Sequence, residues 1–237
     1  MPQEHYTPAL GRLGPVRFYD GIVALLTRER RWRALTAAHL AAAAGDTIVD
    51  VGCGTGSLAL LLARAQPRAR IVGVDPDAAA LAIARDKALR AGVTLEWRLA
   101  MGDALADLMG AASADKVVSS LVLHQCPVPM KRAMLASMHA LLRPGGRLVI
   151  ADYGLQRTRL MRLAFRLVQM ADGKPDTQPN ADGLLPRLIE EAGFVGVREA
   201  DLVPTPTGSI SIYVAARPCA RSSGSTAPGA TPNISRI

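Results

Sequence analysis

The stretch Val49-Asp50-Val51-Gly52-Cys53-Gly54-Thr55-Gly56 constrains this chain more than any other. It is a short apolar run that carries an acid, followed by three glycines at alternate positions, and Leu58–Ala65 then reads as a helix. A buried strand that turns sharply into a helix through Gly-x-Gly-x-Gly leaves bare backbone at the strand's carboxyl end. A ligand can lie there, because no Cβ holds it away. The expectation is a nucleoside-containing cofactor at the end of the first strand.

Beyond Gly45 the pattern alternates. Strands are expected at Thr47–Val51, Arg70–Val74, Thr94–Leu99, Lys116–Leu121 and Arg147–Ala151, with helices at Leu58–Ala65, Asp77–Ala91 and Met130–Leu142 and a weaker one near Leu105–Met109. Such alternation implies right-handed crossovers and a parallel sheet. Arg143-Pro144-Gly145-Gly146 reads as a helix stop and turn. Gly154–Leu167 reads as an inserted amphipathic helix, Gly173–Asn180 as a loop and Leu184–Ala192 as a helix. The link between the last two strand candidates, Val195–Leu202 and Ser209–Ala215, is too short for a crossover helix, so that pair should be antiparallel. The fold expected is α/β, a Rossmann-like doubly wound seven-stranded sheet, mostly parallel with an antiparallel last strand. Residues 1–44 form an entry segment with cap helices and 45–218 the main domain, with a helical insertion near 155–172. The Ser-, Gly- and Pro-rich residues 219–237 are expected to be a disordered tail.

Composition narrows the class. Apolar residues make up 49% of the chain and aromatics only 4%, which suits an aliphatic core. The three cysteines, Cys53, Cys126 and Cys219, are widely spaced and include no C-x-x-C pair, and the four histidines have no metal-ligand spacing. No metal site is expected. The net charge of +8 comes largely from local arginine clusters, Arg28 to Arg33 and Arg157 to Arg166. These lack interleaved aromatics for base stacking, so they read as solvated surface and no nucleic-acid partner is expected. No apolar run approaches the roughly 18 residues of a spanning helix. The start carries Glu4 and His5 rather than an apolar leader, so a cytoplasmic location is expected.

Dinucleotide sites need G-x-G-x-x-G, so that a pyrophosphate meets a helix N-terminus. Here the spacing is G-x-G-x-G, and Asp50 would repel a pyrophosphate but suit an ammonium. Asp75, at the end of the second strand, can accept both hydroxyls of a ribose. Asp103, in Gly102-Asp103-Ala104 after the third strand, can accept from an adenine amino group. Ammonium, ribose and adenine in that order describe S-adenosylmethionine.

Asp50–Gly56, Asp75, Gly102-Asp103-Ala104, Asp115–Leu121 and Leu142-Arg143-Pro144-Gly145-Gly146 resemble the successive motifs of class I SAM-dependent methyltransferases. The resemblance runs from about Arg17 to Ala216. Phe18-Tyr19-Asp20 and Ser120-Leu121-Val122-Leu123-His124 resemble the ubiquinone/menaquinone-methyltransferase-like branch. It implies cofactor contacts from Tyr19, Asp50, Gly52, Cys53, Gly54, Gly56, Asp75, Pro76, Asp103, Ala104 and Leu121. Bland alternatives stand beside these: a tight turn for the glycines, an N-cap for Asp75, a turn former for Asp103, a half-buried helix aromatic for Tyr19.

Residues 122–127 should line the gap between cofactor and acceptor. His124 is the candidate base there, since an acceptor hydroxyl or protonated amine must lose a proton; the alternative is a packed loop histidine. Gln125, Asp152 and Tyr153 are candidates for orienting the acceptor. In the insertion, Leu160, Leu163, Ala164 and Leu167 form an apolar stripe with Arg159, Arg162 and Arg166 on another face. It reads as a cover on the core, or as a surface for an apolar acceptor or a membrane. The function expected is S-adenosylmethionine-dependent methyl transfer to a small quinone-like, phenolic or other partly apolar acceptor. The alternatives are a phospholipid N-methyltransferase and a non-catalytic cofactor-binding protein.

Overall fold

The structure, a computed structural model, describes Thr27–Cys219. Tyr19 and its neighbours, and the residues beyond Cys219, lie outside the described residues. The elements in order are α1 (Glu29–Leu40), β1 (Thr47–Val51), α2 (Ser57–Ala65), β2 (Arg70–Asp75), α3 (Ala78–Ala91), β3 (Glu96–Leu99), α4 (Leu105–Met109) and β4 (Ala114–Ser120). A single 3-10 turn (Leu123–Gln125) follows, then α5 (Val128–Leu141), β5 (Leu142–Tyr153), α6 (Arg159–Asp172), α7 (Lys174–Ala181), α8 (Leu185–Glu191), β6 (Val195–Thr205) and β7 (Gly208–Ala216).

The strands form one seven-stranded sheet in the order β3-β2-β1-β4-β5-β7-β6. β1 pairs in parallel with β2 (Val49 opposite Val72) and with β4 (Val49 opposite Val117). β7 runs antiparallel between β5 and β6. The chain leaves β1 toward β2 and β3, then returns to place β4 on the other side. The sheet therefore switches direction between β1 and β4, where α/β sheets open a crevice at their carboxyl edge.

Sequence alternation places the two cores. Val49, Val51, Val72 and Val74 face one side, packed with Met134, Leu135 and Met138 of α5 and Leu185 and Ile189 of α8. Ile48, Ile71, Val118 and Val149 face the other, against Trp32 and Leu40 of α1, Leu58 and Leu62 of α2 and Phe165 of α6. Burial on both faces explains why these strands read as continuous apolar runs.

Three expectations change. The residues expected as a loop, Gly173–Asn180, contain the helix α7. Pro175 sits in its first turn, where a missing N–H costs nothing. Pro179 lies inside it but is outweighed by tertiary ties: Lys131 Nζ donates to the Asp176 carbonyl at 2.7 Å, and Thr177 Oγ1 donates to the Gly173 carbonyl at 2.7 Å. β5 begins at Leu142, not after the Pro-Gly-Gly turn. Ala114 pairs with Leu142 and Lys116 with Arg147, so the extra residues of β5 bulge out around Gly145, whose φ is +79°. The inserted helix starts later, at Arg159, because the Thr158 side chain caps it by accepting from Met161 N at 3.1 Å.

Candidate active site

The glycine loop leaves β1 with Gly52 N–H and Cys53 N–H both donating to the Val74 carbonyl, at 2.8 and 3.1 Å. Its glycines answer different demands. A Cβ on Gly52 would stand 2.3 Å from Val122 Cγ2, so the loop is packed there, against the turn after β4. Gly54, at φ +52°, has nothing within 4 Å of where a Cβ would be. It offers an open backbone floor at the sheet's carboxyl edge. Cys53 is buried and its thiol pKa is pushed well above the usual value by burial, then by Asp50 and Asp75, so its side chain offers no thiolate.

Asp75 accepts from Gly54 N–H at 2.8 Å and Asp77 N–H at 2.9 Å. The cap of α3 is Asp77, which accepts from Ala79 N and Ala80 N. Asp75 is therefore not that helix's cap. It braces the glycine loop against the β2–α3 turn, with Pro76 half-buried beside it. Burial raises its pKa, and the two backbone donors oppose the rise. Asp103 and Ala104 are exposed in the link to α4, and Asp103 makes no hydrogen bond among the described residues.

Asp50 is fully buried, and neither carboxylate oxygen has a hydrogen bond of ordinary geometry. Burial lifts its pKa to about 7; the charge of Arg33 and the nearby Ala59 N–H pull it down, while the charge of Asp75 adds to the rise. A buried carboxylate without a partner is costly, and a cation beside it would relieve the cost. Open glycine backbone, an unsatisfied acid at its root and a two-oxygen acceptor across from it fit the amino-acid and ribose parts of S-adenosylmethionine. Asp50, the backbone of Gly52 to Gly54 and Asp75 would hold them.

Past β4 the chain turns through Leu121, a non-glycine residue at φ +55° whose N–H still bonds to the Ala151 carbonyl at 2.9 Å. That conformation costs about 1–2 kcal/mol for an L-residue. Asp152 holds the strained turn. Its Oδ2 accepts from the N–H groups of Val122, Leu123 and His124 at 3.2, 2.7 and 3.3 Å. Its Oδ1 accepts from Tyr153 N–H and His124 Nδ1, both at 2.7 Å. On its other side His124 Nε2 lies 3.3 Å from Asp172 Oδ2, at the end of α6. Burial works to lower the His124 pKa, but the charge and hydrogen bond of Asp152, then those of Asp172, outweigh it and raise the value to about 9. At neutral pH His124 is an imidazolium clamped between two carboxylates.

This corrects two expectations. Asp152 is buried and wholly engaged, so it positions His124 and the turn and does not reach an acceptor itself. The Tyr153 ring stacks edge-on to His124 at 5.0 Å and its hydroxyl bonds to Thr207 Oγ1 at 2.7 Å, so it packs the site from beneath. Gln125 stays half-exposed at the rim. Sequence reasoning missed Asp172, which arrives from the far end of the insertion, and Lys131, fully buried on α5. Lys131 Nζ donates to Asn180 Oδ1 at 2.7 Å, and Asn180 Nδ2 donates to the Tyr153 carbonyl at 2.9 Å, tying α7 over β5. Burial lowers the Lys131 pKa. A lysine on an otherwise apolar helix face was the available signal.

Known proteins agree with this arrangement. A family profile described as a methyltransferase domain matches residues 48–146, from β1 into β5. The ubiquinone/menaquinone biosynthesis C-methyltransferase UbiE of Syntrophotalea carbinolica is 28% identical over 91% of this chain and 95% of its own length. The demethylmenaquinone methyltransferase of Thermus thermophilus is 35% identical over 57% of this chain, which spans 60% of that protein. In fold, the chain superposes on magnesium protoporphyrin IX methyltransferase from Synechocystis with a TM-score of 0.60 at 19% identity, covering 80% of this chain and 81% of that one. The chain thus carries a match to a methyltransferase domain over residues 48–146 and is similar along most of its length to an S-adenosylmethionine-dependent methyltransferase of the ubiquinone/menaquinone branch.

Proposed function

We propose that the acceptor is a small, partly apolar molecule bearing a phenolic or hydroquinone hydroxyl, methylated at that oxygen or at a ring carbon it activates. The observation that carries this reading is the buried imidazolium of His124 beside the glycine loop, with a carboxylate oxygen of Asp172 at 3.3 Å from Nε2. That oxygen marks where an anionic oxygen is favoured. The relatives named for quinone biosynthesis support the same acceptor class.

When bound, S-adenosylmethionine supplies an electrophilic methyl on a sulfonium. The protein's part is to place the nucleophile in line and favour its reactive form. A phenol is a poor nucleophile and a phenolate a good one. His124, already protonated, pairs with the phenolate and shifts the acceptor's ionisation toward it. Asp172 is the carboxylate nearest to Nε2 and yields its place to the phenolate, whose proton leaves to solvent. Asp152 keeps the imidazole charged and oriented. In this role His124 acts as a cationic donor, and not as the neutral base expected from its ordinary pKa.

The test is turnover. Purified protein with S-adenosylmethionine and a panel of hydroquinones and phenols should yield a product heavier by one methyl. His124→Phe should lower kcat by roughly a hundredfold while leaving S-adenosylhomocysteine binding intact. Methylation of amines or thiols but of no phenol in the panel, or native turnover by His124→Phe, would overturn this reading.

A further inference from the structure

Helix α6 presents an uncovered apolar face. Leu160, Leu163, Leu167 and Met170 are 75, 59, 54 and 74% exposed. They are spaced i, i+3, i+7 and i+10, so they share one face. The expectation that this stripe packs on the core is therefore wrong. Phe165 and Val168 do that packing, the Phe165 ring 5.0 Å from Tyr153. Other exposed large apolar residues, such as Leu61, Leu89, Leu99 and Leu108, are scattered over other elements.

The charge beside this face has one sign. Arg159, Arg162 and Arg166 are exposed along the neighbouring face, and Lys174 follows at the start of α7. Arg159 and Arg166 have no ion pair or hydrogen bond among the described residues, while Arg162 Nε donates to the Gln156 carbonyl at 2.9 Å. The only acid in α6, Asp172, points inward to His124. Leucine and methionine on one face with unpaired arginines along its edge match a helix lying in the headgroup region of a lipid surface. No helix among the described residues is long and apolar enough to cross a membrane.

We propose that α6 seats the protein on the surface of an anionic lipid bilayer, with Leu160, Leu163, Leu167 and Met170 in the acyl boundary and Arg159, Arg162 and Arg166 against headgroup phosphates. The inner face of the same helix carries Asp172 onto His124, so the docked protein would open its acceptor site beside the lipid. The inference does not rest on the acceptor proposed above, because its readout is binding alone.

The experiment is co-sedimentation of the full chain with phosphatidylcholine vesicles, with and without phosphatidylglycerol, at low and high salt. Binding is expected only with phosphatidylglycerol and should weaken with salt. The double variant Leu163→Glu/Leu167→Glu should lose it. Arg159→Ser and Arg166→Ser should each weaken it about fivefold. All four positions are exposed, so the variants should keep the native melting temperature and S-adenosylhomocysteine affinity, which separates failed docking from failed folding. Failure of the native chain to bind anionic vesicles, or binding unchanged in the leucine variant, overturns the proposal. So does sedimentation equilibrium showing a lipid-free dimer that Leu163→Glu/Leu167→Glu dissociates, since a second copy would then own this face.

Discussion

Asp152→Asn removes one charge at nearly constant shape, and the geometry says what must follow. An asparagine has one acceptor oxygen and one donor amide. If its oxygen keeps the N–H groups of Val122, Leu123 and His124, its amide turns toward His124 Nδ1 and Tyr153 N–H, where Oδ1 had accepted two bonds at 2.7 Å. The imidazole can meet an amide donor only by giving up its Nδ1 proton. Tyr153 N–H is left without an acceptor, at a cost of about 1–3 kcal/mol.

The pH dependence follows from the sign of the shift. The folded-state pKa of His124 is raised from 6.5 to about 9. Its contribution is therefore fully present below the unfolded value and lost as pH climbs through the folded one. That difference corresponds to about 3 kcal/mol below pH of about 6.5. At pH about 6 the variant should be less stable than the native chain by roughly 3–5 kcal/mol, the usual cost of breaking a buried pair. At pH about 10, where both histidines are neutral, the gap should shrink to about 1–3 kcal/mol. Urea unfolding followed by tryptophan fluorescence measures both values, and other groups cancel in the difference. Proton NMR of His124 should show titration near the raised value in the native chain and well below it in the variant. A gap equal at both pH values, or a native His124 titrating at its ordinary pKa, refutes the clamped imidazolium.

Asp75→Ala should weaken S-adenosylhomocysteine binding by about 2–3 kcal/mol by calorimetry, through lost ribose hydrogen bonds; unchanged affinity in a folded variant removes Asp75 from the site. Asp50, raised to about 7, must shed its proton to face the cofactor's ammonium, so binding at pH about 6 should release close to one proton and tighten as pH rises. Calorimetry in two buffers of different ionisation heat counts that proton, and Asp50→Asn should abolish it. Gly52→Ala meets Val122 at 2.3 Å on top of a left-handed φ and should cost more than about 1–3 kcal/mol of stability, while Gly54→Ala has open space around it, carries only the left-handed strain of about 1–2 kcal/mol, and should act in addition on cofactor affinity. Thermal melts and binding isotherms of the two variants separate these effects.

The sheet was legible because its residues obey short-range rules. The apolar runs around Val49, Val72 and Val118, and the glycines and acids at their ends, each state a local geometry that the fold keeps. The candidate site was legible only where the strand ends and the loop beside them supply it. Asp50, Gly54 and Asp75 announce themselves by spacing from a strand end. The state of His124 does not, because it depends on Asp152 from β5 and Asp172 from α6, residues 28 and 48 positions away in sequence. An ordinary histidine pKa was the reasonable expectation until both carboxylates were placed. The helix α7 was missed for a related reason: two prolines outweigh local propensity on paper, while Lys131 and Asn180 decide the matter through the core.

Two buried charges frame the crevice, and on the proposed chemistry they complement each other. Asp50 is a buried acid whose two oxygens have no hydrogen bond of ordinary geometry. His124 is a buried cation held by an acid, Asp172, that can be exchanged for another anion. A sulfonium cofactor carrying an ammonium and an acceptor ionised to its phenolate would satisfy both ends at once. Methyl transfer would then remove the acceptor's negative charge from beside His124. The methylated acceptor no longer offers His124 an anion, and Asp172 is the nearest carboxylate to reclaim Nε2. The carboxylate that pairs with Nε2 would so be the group that expels the product. Asp172→Asn should accordingly slow product release more than chemistry: a burst of one turnover per protein followed by a reduced steady rate, visible in rapid-quench measurements. A variant with no burst and a uniformly slower first turnover would place Asp172 in the proton transfer alone.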